Sequence, residues 1–445
     1  MPFRTCLLIF FCALAVRLTA VAVLVLGWGD AGLLISDSQG YLHLAASGAE
    51  QTQVTPLYLL FLTAHMTTFS GSPLWPVLSQ CGLDAMTCVT IAALASTLDR
   101  RLALTAGLAA ALNPVQIVMA TLVLTETLFV FFAALALLAT ARWLRAPSWR
   151  WAIAIGLVLG LGVLTRAMLL PWLVALPIVM LVGAVIMRHH ARPALGQGVA
   201  AALIGMAMLS PVVLDNHARH GGWGLSAQGG SHALLWLVPL VMEAADGTPH
   251  DEGARQMNAR FAAIVDPDPP IDPFARSRAM SRAAFEVLRE LGPAPIAKAW
   301  GYGAAINLFS PAVILATPVR TLPRTGFYAT PGDGKFDKVI GFLLRNDNRL
   351  YGWVLLIATA ATMVWRALQL RGLWRGARRA IAGDRFALAL GLILVAWIGF
   401  VLAINGPIAS AKYRAPIEPA MIVLFALGWS RRPDPATFIQ PPRSL

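Results

Sequence analysis

Ten stretches of this chain are apolar over about the length needed to cross a lipid bilayer, and that repetition restricts it to one kind of solvent. A hydrocarbon core of about 30 Å requires roughly 20 helical residues. Runs of this kind fall at 4–27, 74–97, 102–120, 121–141, 151–165, 167–187, 195–214, 351–370, 386–404 and 415–430. In lipid every backbone amide must be satisfied within its own segment, which favours helices. The expectation is an all-α integral membrane protein, a polytopic bundle of about 10 (10–12) transmembrane helices. The stretches 102–141 and 151–187 are too long for one helix and read as hairpins, broken near Asn113-Pro114 and near Arg166-Ala167. Composition agrees: 58% of residues are hydrophobic and 13% charged, with a mean hydropathy of +0.67, which excludes an ordinary soluble domain.

The formal charge of +13 invites a nucleic-acid reading, but its distribution argues against one. The excess lies in short connections: Arg100 and Arg101; Arg142, Arg145 and Arg150; Arg188 and Arg192; Arg371, Arg375, Arg378, Arg379 and Arg385; and Arg431 and Arg432. Counted from a cytoplasmic N-terminus marked by Arg4, ten crossings put all of them on the cytoplasmic side, as the positive-inside rule requires. Both termini are then cytoplasmic. The segment Met1 to Trp28 carries Arg17 in an apolar run longer than that of a signal peptide, so it reads as an uncleaved first span. Cys6, Cys12, Cys81 and Cys88 lie inside spans, where a disulfide framework or a cysteine metal site is not expected.

Three parts follow: an N-terminal transmembrane module, 1–214, with a first outer loop at 28–73; a large outer segment, 215–350; and the C-terminal spans with a short tail, 351–445. The first loop holds two short apolar-patterned stretches, 37–49 and 55–69, suited to helices at the membrane surface. The second outer segment carries 14 basic and 13 acidic residues. It contains the turn-rich run Asp266-Pro267-Asp268-Pro269-Pro270 and a helical pattern from Arg276 to Leu291, so it reads as an ordered extracytoplasmic layer. The stretch 298–316 reads as interfacial or re-entrant, because an eleventh span would put the arginines at 371–385 outside.

Charges within or beside spans are costly and mark function or structural pairing. Arg17, Asp84, Glu126, Arg166 and Arg366 form that set, of which Arg366 is close enough to a span end to snorkel and is given no role. Glu126 and Arg166 sit toward the outer ends of their helices; either they form an ion pair locking two hairpins together, or Arg166 faces a lipid phosphate. Asp37 stands just beyond the first span, in a loop without a single Lys or Arg, where it serves as a helix cap or as an acid at the lipid–water rim. His43 and His65 have no partner at metal-ligand spacing.

Six pieces now carry a family resemblance. Asp37-Ser38-x-x-Tyr41, Thr55-Pro56-Leu57-Tyr58, Thr125-Glu126-Thr127-Leu128-Phe129, the glycine-spaced run from Gly156 to Arg166, the stretch from Pro211 to Gly230, and Lys412-Tyr413-Arg414-Ala415-Pro416 through Pro419 stand in that order. Together they resemble the polytopic GT-C glycosyltransferases, in particular the group of protein O-mannosyltransferases and lipid A aminoarabinose transferases. The resemblance implies a GT-C-like bundle with extracytoplasmic interfacial helices in the first and fourth outer loops, seated in the cell inner (plasma) membrane. It implies transfer of a sugar from a polyprenyl-phosphate donor to an acceptor hydroxyl on lipid A or another envelope glycan or lipid, on the outer side and with inversion. An alcohol needs a base to become a nucleophile, and a leaving phosphate needs cations. Asp37 is then the base; Arg166, Lys412 and Arg414 bind the donor phosphate; Tyr41, Tyr58, Glu126 and Tyr413 bind substrate. A divalent metal is admitted but not required, and no nucleic acid is expected. Asp215 stands where the group has an arginine, which removes a cationic role there. A transporter or flippase shares the hydropathy and the basic loops, but its charges gather near the midplane of repeated halves, whereas here they gather at the outer rim.

Overall fold

The computed structural model describes residues 1–47, 52–68, 71–264, 272–326, 329–333, 335–345 and 347–430. The proline-rich run at 266–270, Arg431, Arg432 and the tail lie outside the described residues. All regular structure among those described is helical.

The first half is built from α1 (Phe3–Trp28), α2 (Ser36–Ser47), α3 (Pro56–Thr68), α4 (Leu74–Leu98), α5 (Leu102–Ala111), α6 (Pro114–Ala120), α7 (Glu126–Arg145), α8 (Trp149–Thr165), α9 (Leu170–Met187) and α10 (Ala191–His220). Then come α11 (Gln228–His232), α12 (Val238–Ala245), α13 (His250–Ile264), α14 (Pro273–Leu291) and α15 (Pro293–Phe309). The rest is α16 (Thr317–Arg320), α17 (Lys335–Leu344), α18 (Arg349–Ile381), α19 (Arg385–Asn405) and α20 (Glu418–Trp429). Seven of these helices are long and apolar enough to cross a membrane, eight if α5 and α6 are taken as one bent span. The count of ten is therefore not reached by length: α8 has 17 residues and α20 has 12, about 18 Å of helix for the latter. That last helix is nonetheless buried over all but its final residue, in the middle of the bundle.

The hairpin at 102–141 differs from its expected form. Asn113-Pro114 is a 50° bend inside the first arm, and the turn between arms comes later, ahead of Glu126. A bend strips backbone groups of their partners, and lipid cannot replace them. Side chains do so on both sides. Arg17, fully buried on α1, donates to the carbonyls of Ala110 and Ala111 at the end of α5 and to Asp84 Oδ2 at 2.7 Å. Asn113 accepts from the Val115 amide at 2.8 Å, capping α6, and donates to Glu418 Oε2 at 2.8 Å. Arg366 is the other correction: it does not snorkel but lies buried, donating to Leu308 O at 2.8 Å with Glu418 3.6 Å away.

The arginines from 371 to 379 sit on a helix, since α18 runs on for 33 residues. It crosses α20 at two glycines. A Cβ on Gly372 would lie 1.7 Å from Leu424 O, and one on Gly428 1.9 Å from Leu368 O, so only glycine allows the backbones this close. Helices α12–α14 and the helical turn 233–237 share a small core of Leu234, Val238, Met257, Phe261, Met280 and Val287. The stretch expected to be re-entrant is mostly α15, tied to the end of α19 by a hydrogen bond of 3.0 Å from the Trp300 indole to Ala403 O.

Candidate active site

The motifs meet where α1 ends, α7 begins, α8 ends and the chain turns into α20. After α1 a single tight turn, 29–33, leads to α2, and three bonds fix its exit. Val123 N donates to Leu33 O at 3.0 Å, Thr317 Oγ1 to Gly32 O at 2.7 Å and Arg320 to Leu34 O at 2.8 Å. Asp37 thereby enters in the first turn of α2. Its carboxylate accepts from Lys412 Nζ at 2.6 Å and from Ser36 Oγ at 3.3 Å, which is not a cap.

Lys412 reaches Asp37 from a stiff platform. Residues 411–417 form a 3₁₀ segment opened by Ser410, whose amide donates to Asn307 Oδ1 at 2.9 Å, while Asn405 donates to Tyr413 O at 3.1 Å. Arg414 is the root of that platform. It donates to Glu418 Oε1 at 2.8 Å and to the carbonyls of Asn307, Leu308 and Ser310. Arg414, Glu418 and Asn307 are buried, so the guanidinium is committed to holding the platform and not exposed to a phosphate, contrary to the role expected of it.

Beside the Asp37–Lys412 pair lies a second one. Glu126 opens α7, where the helix dipole favours a carboxylate, and accepts from Arg166 at 2.5 Å. Arg166 follows α8 in extended backbone, with Phe129 and Tyr413 rings 5.8 and 5.9 Å from its guanidinium carbon. The pairs are unequally open. Side-chain exposure is 39% for Asp37, 15% for Lys412, 23% for Arg166 and 3% for Glu126, so Asp37 faces the opening and Glu126 the interior. Of the two alternatives for Arg166, the ion pair with Glu126 is present, and the arginine keeps 23% of its side chain exposed beside it.

Tyr41 packs edge-on against Tyr58, ring centroids 5.4 Å apart. Tyr58 is buried and spends its hydroxyl on Gln80 Oε1 at 2.8 Å; it supports Tyr41 from behind and cannot touch a ligand at the rim. Tyr413 lies close to both cations, with Lys412 Nζ 5.0 Å from its ring centre.

Electrostatics follow from this crowding. Burial raises the Asp37 carboxyl, but the charge and hydrogen bond of Lys412 outweigh it and hold the group below the usual carboxylate range. Lys412 is the mirror image: burial favours the neutral amine, yet Glu126, Tyr413 and Asp37 together raise it. Tyr41 is raised by burial and by the nearby carboxylates. One neighbour escaped the sequence reading. His232, at the end of α11 in the outer layer, is pushed down by burial and then by the charges of Arg166 and Lys412. Its signal was the Gly229-Gly230 pair just before it: Gly230 N donates to Ser277 Oγ at 2.9 Å, and a Cβ there would lie 2.1 Å from Ser277 O. No group of three or more metal-ligating side chains occurs among the described residues.

With this geometry in place, comparisons place the chain among known proteins. Residues 54–214 match the profile of the family described as dolichyl-phosphate-mannose-protein mannosyltransferase. The archaeal oligosaccharyltransferase AglB from Archaeoglobus fulgidus, solved in complex with an inhibitory peptide and a dolichol-phosphate, aligns over 95% of this chain. Its TM-score is 0.52 at 11% sequence identity. The alignment takes in 50% of AglB, so the chain spans about half the length of that protein. ArnT from Cupriavidus metallidurans bound to undecaprenyl phosphate aligns over 95% of this chain and 76% of its own, at 17% identity and a TM-score of 0.38. No curated protein matches the sequence.

Proposed function

From a GT-C-type, PMT- and ArnT-like protein, we propose a membrane glycosyltransferase that moves a sugar from a polyprenyl-phosphate donor to an acceptor hydroxyl at the outer rim of the bundle. The matched family profile and the dolichol-phosphate of AglB favour that class of donor. The acceptor is a lipid or glycan of the envelope, with lipid A one candidate. The observation that carries the reading is the Asp37–Lys412 pair, a carboxylate clamped by a cation at an open edge.

Two carboxylates and two cations balance one another at the site. A donor phosphate adds negative charge, and Lys412 with Arg166 is its natural counter-ion. Lys412 then shifts from Asp37 to the phosphate. Relieved of its clamp, the Asp37 carboxylate regains basicity and accepts the proton of the acceptor hydroxyl as that oxygen attacks the anomeric carbon. The polyprenyl phosphate leaves with the bonding electron pair, its charge met by Lys412 and Arg166. Attack opposite the leaving group inverts the anomeric centre. Tyr413 presents its ring to both cations, and Tyr41 lines the site beside them.

The test is transfer by purified protein from a labelled polyprenyl-phosphate sugar to a panel of lipid and glycan acceptors. Asp37→Asn should lower kcat about 10²–10⁴-fold, the range for loss of a positioned base, with donor binding kept. Transfer at the wild-type rate would remove Asp37 from the chemistry.

A further inference from the structure

The opposite, arginine-rich end of the bundle carries a groove that the proposed reaction does not use. It encloses about 150 Å³ between α18 and α19, walled by Gly376 and Ala380 on one side and Leu388 and Gly391 on the other, over a floor of Leu98 and Leu427. A Cβ on Gly376 or Gly391 would meet nothing within 4 Å, so the absent side chains open the groove. Leu388, Leu392 and Val395 along its α19 wall are exposed; it opens sideways, toward lipid. Hydrocarbon fits such walls, and the mouth adds a charge preference.

Arg379 lines the groove where it ends, held by Asp384 at 2.6 Å. Arg385 lies one turn before Leu388 on the same helical stripe. Arg145 stacks over the Phe386 ring at 4.0 Å, Arg100 and Arg101 follow Leu98, and Arg378 is exposed on α18. Asp99 and Asp384 are the acids among these six arginines. A groove between spans with a cationic mouth is complementary to a lipid whose headgroup is anionic.

We propose that this groove binds one acyl chain of an anionic phospholipid, with the headgroup phosphate against Arg385 and its neighbouring arginines. The site is separate from the donor site, which lies at the other end of the spans, and it stands whatever reaction the chain catalyses.

Native mass spectrometry of the full chain, titrated with phosphatidylglycerol or phosphatidylcholine of identical acyl chains, tests it. The first phosphatidylglycerol should be held about fivefold more tightly than phosphatidylcholine, the scale of one arginine near a headgroup. Arg385→Gln should reduce the preference for phosphatidylglycerol, and Gly376→Leu or Gly391→Leu should weaken both. Equal retention by the wild type, or full retention by folded glycine variants, overturns the proposal. A third arm uses polyprenyl phosphate: if it displaces phosphatidylglycerol and its own binding is lost in Gly391→Leu, the groove serves the donor chain and the proposal fails. Should the glycine variants not fold, Arg385→Gln decides by its effect on headgroup selectivity.

Discussion

Lys412 and Arg414 are two cations two residues apart, and the structure sends them to opposite fates. In a 3₁₀ segment each residue turns about 120°, so positions i and i+2 face different ways, and Glu418 four residues on captures the second. The sequence pattern shows a basic pair but not this rotation, because a 3₁₀ turn has no hydrophobic period long enough to read. Asp37, by contrast, stands where its sequence position put it, just beyond the first apolar helix and in the first turn of α2. Its clamp predicts a pH effect. A carboxyl held down by Lys412 stays ionised until pH falls below the ordinary value of about 3.9, so the pair is kept above that pH and lost as pH drops through the lowered value. The acid limb of kcat/KM, which reports the free enzyme, should therefore lie below pH 4. In Lys412→Met, burial acts on Asp37 without its counter-ion and the limb should move upward; a limb that stays put would mean that Lys412 does not set the basicity of Asp37.

Among the elements, the bent pair α5–α6 and the crossing of α18 with α20 show what an apolar run conceals. Asn113-Pro114 announced a break, and a break exists; whether it was a turn or a bend depended on Arg17, Asp84 and Glu418, partners from distant segments. The length of α20 was similarly unreadable, because residues 415–417 are apolar enough to look like the start of a span yet belong to the tighter helix of 411–417 that Ser410 opens. Glycine separates two functions along α18. Gly372→Ala or Gly428→Ala drives a methyl into a facing carbonyl and should cost at least about 1–3 kcal/mol, the usual penalty of overpacking. Gly376→Ala enters open space and should be neutral or stabilising by up to about 1 kcal/mol. Thermal unfolding in detergent distinguishes them; equal melting temperatures for all three would show that the α18–α20 crossing is looser than described.

At the scale of the molecule, the all-helical membrane class was written in hydropathy and the arginines carry an expectation of sidedness, while the number of full crossings was not legible, since helix length and buried path diverge once α8 and α20 are enclosed by neighbours. The charge rule makes a direct prediction about that sidedness. A reporter fused after Thr330 should be accessible from the extracytoplasmic side, and cytoplasmic labelling would invert the assignment of the whole 215–350 segment.

The Asp37–Lys412 contact joins residues 375 positions apart. During synthesis, the acid is therefore in the membrane long before the lysine that holds it has left the ribosome. The rim can close only when the last helix and the turn before it have inserted, so a chain arrested after α19 would carry its acid but no assembled site. On the proposed function, a copy lacking α20 and the turn before it would hold Asp37 without the lysine that sets its basicity.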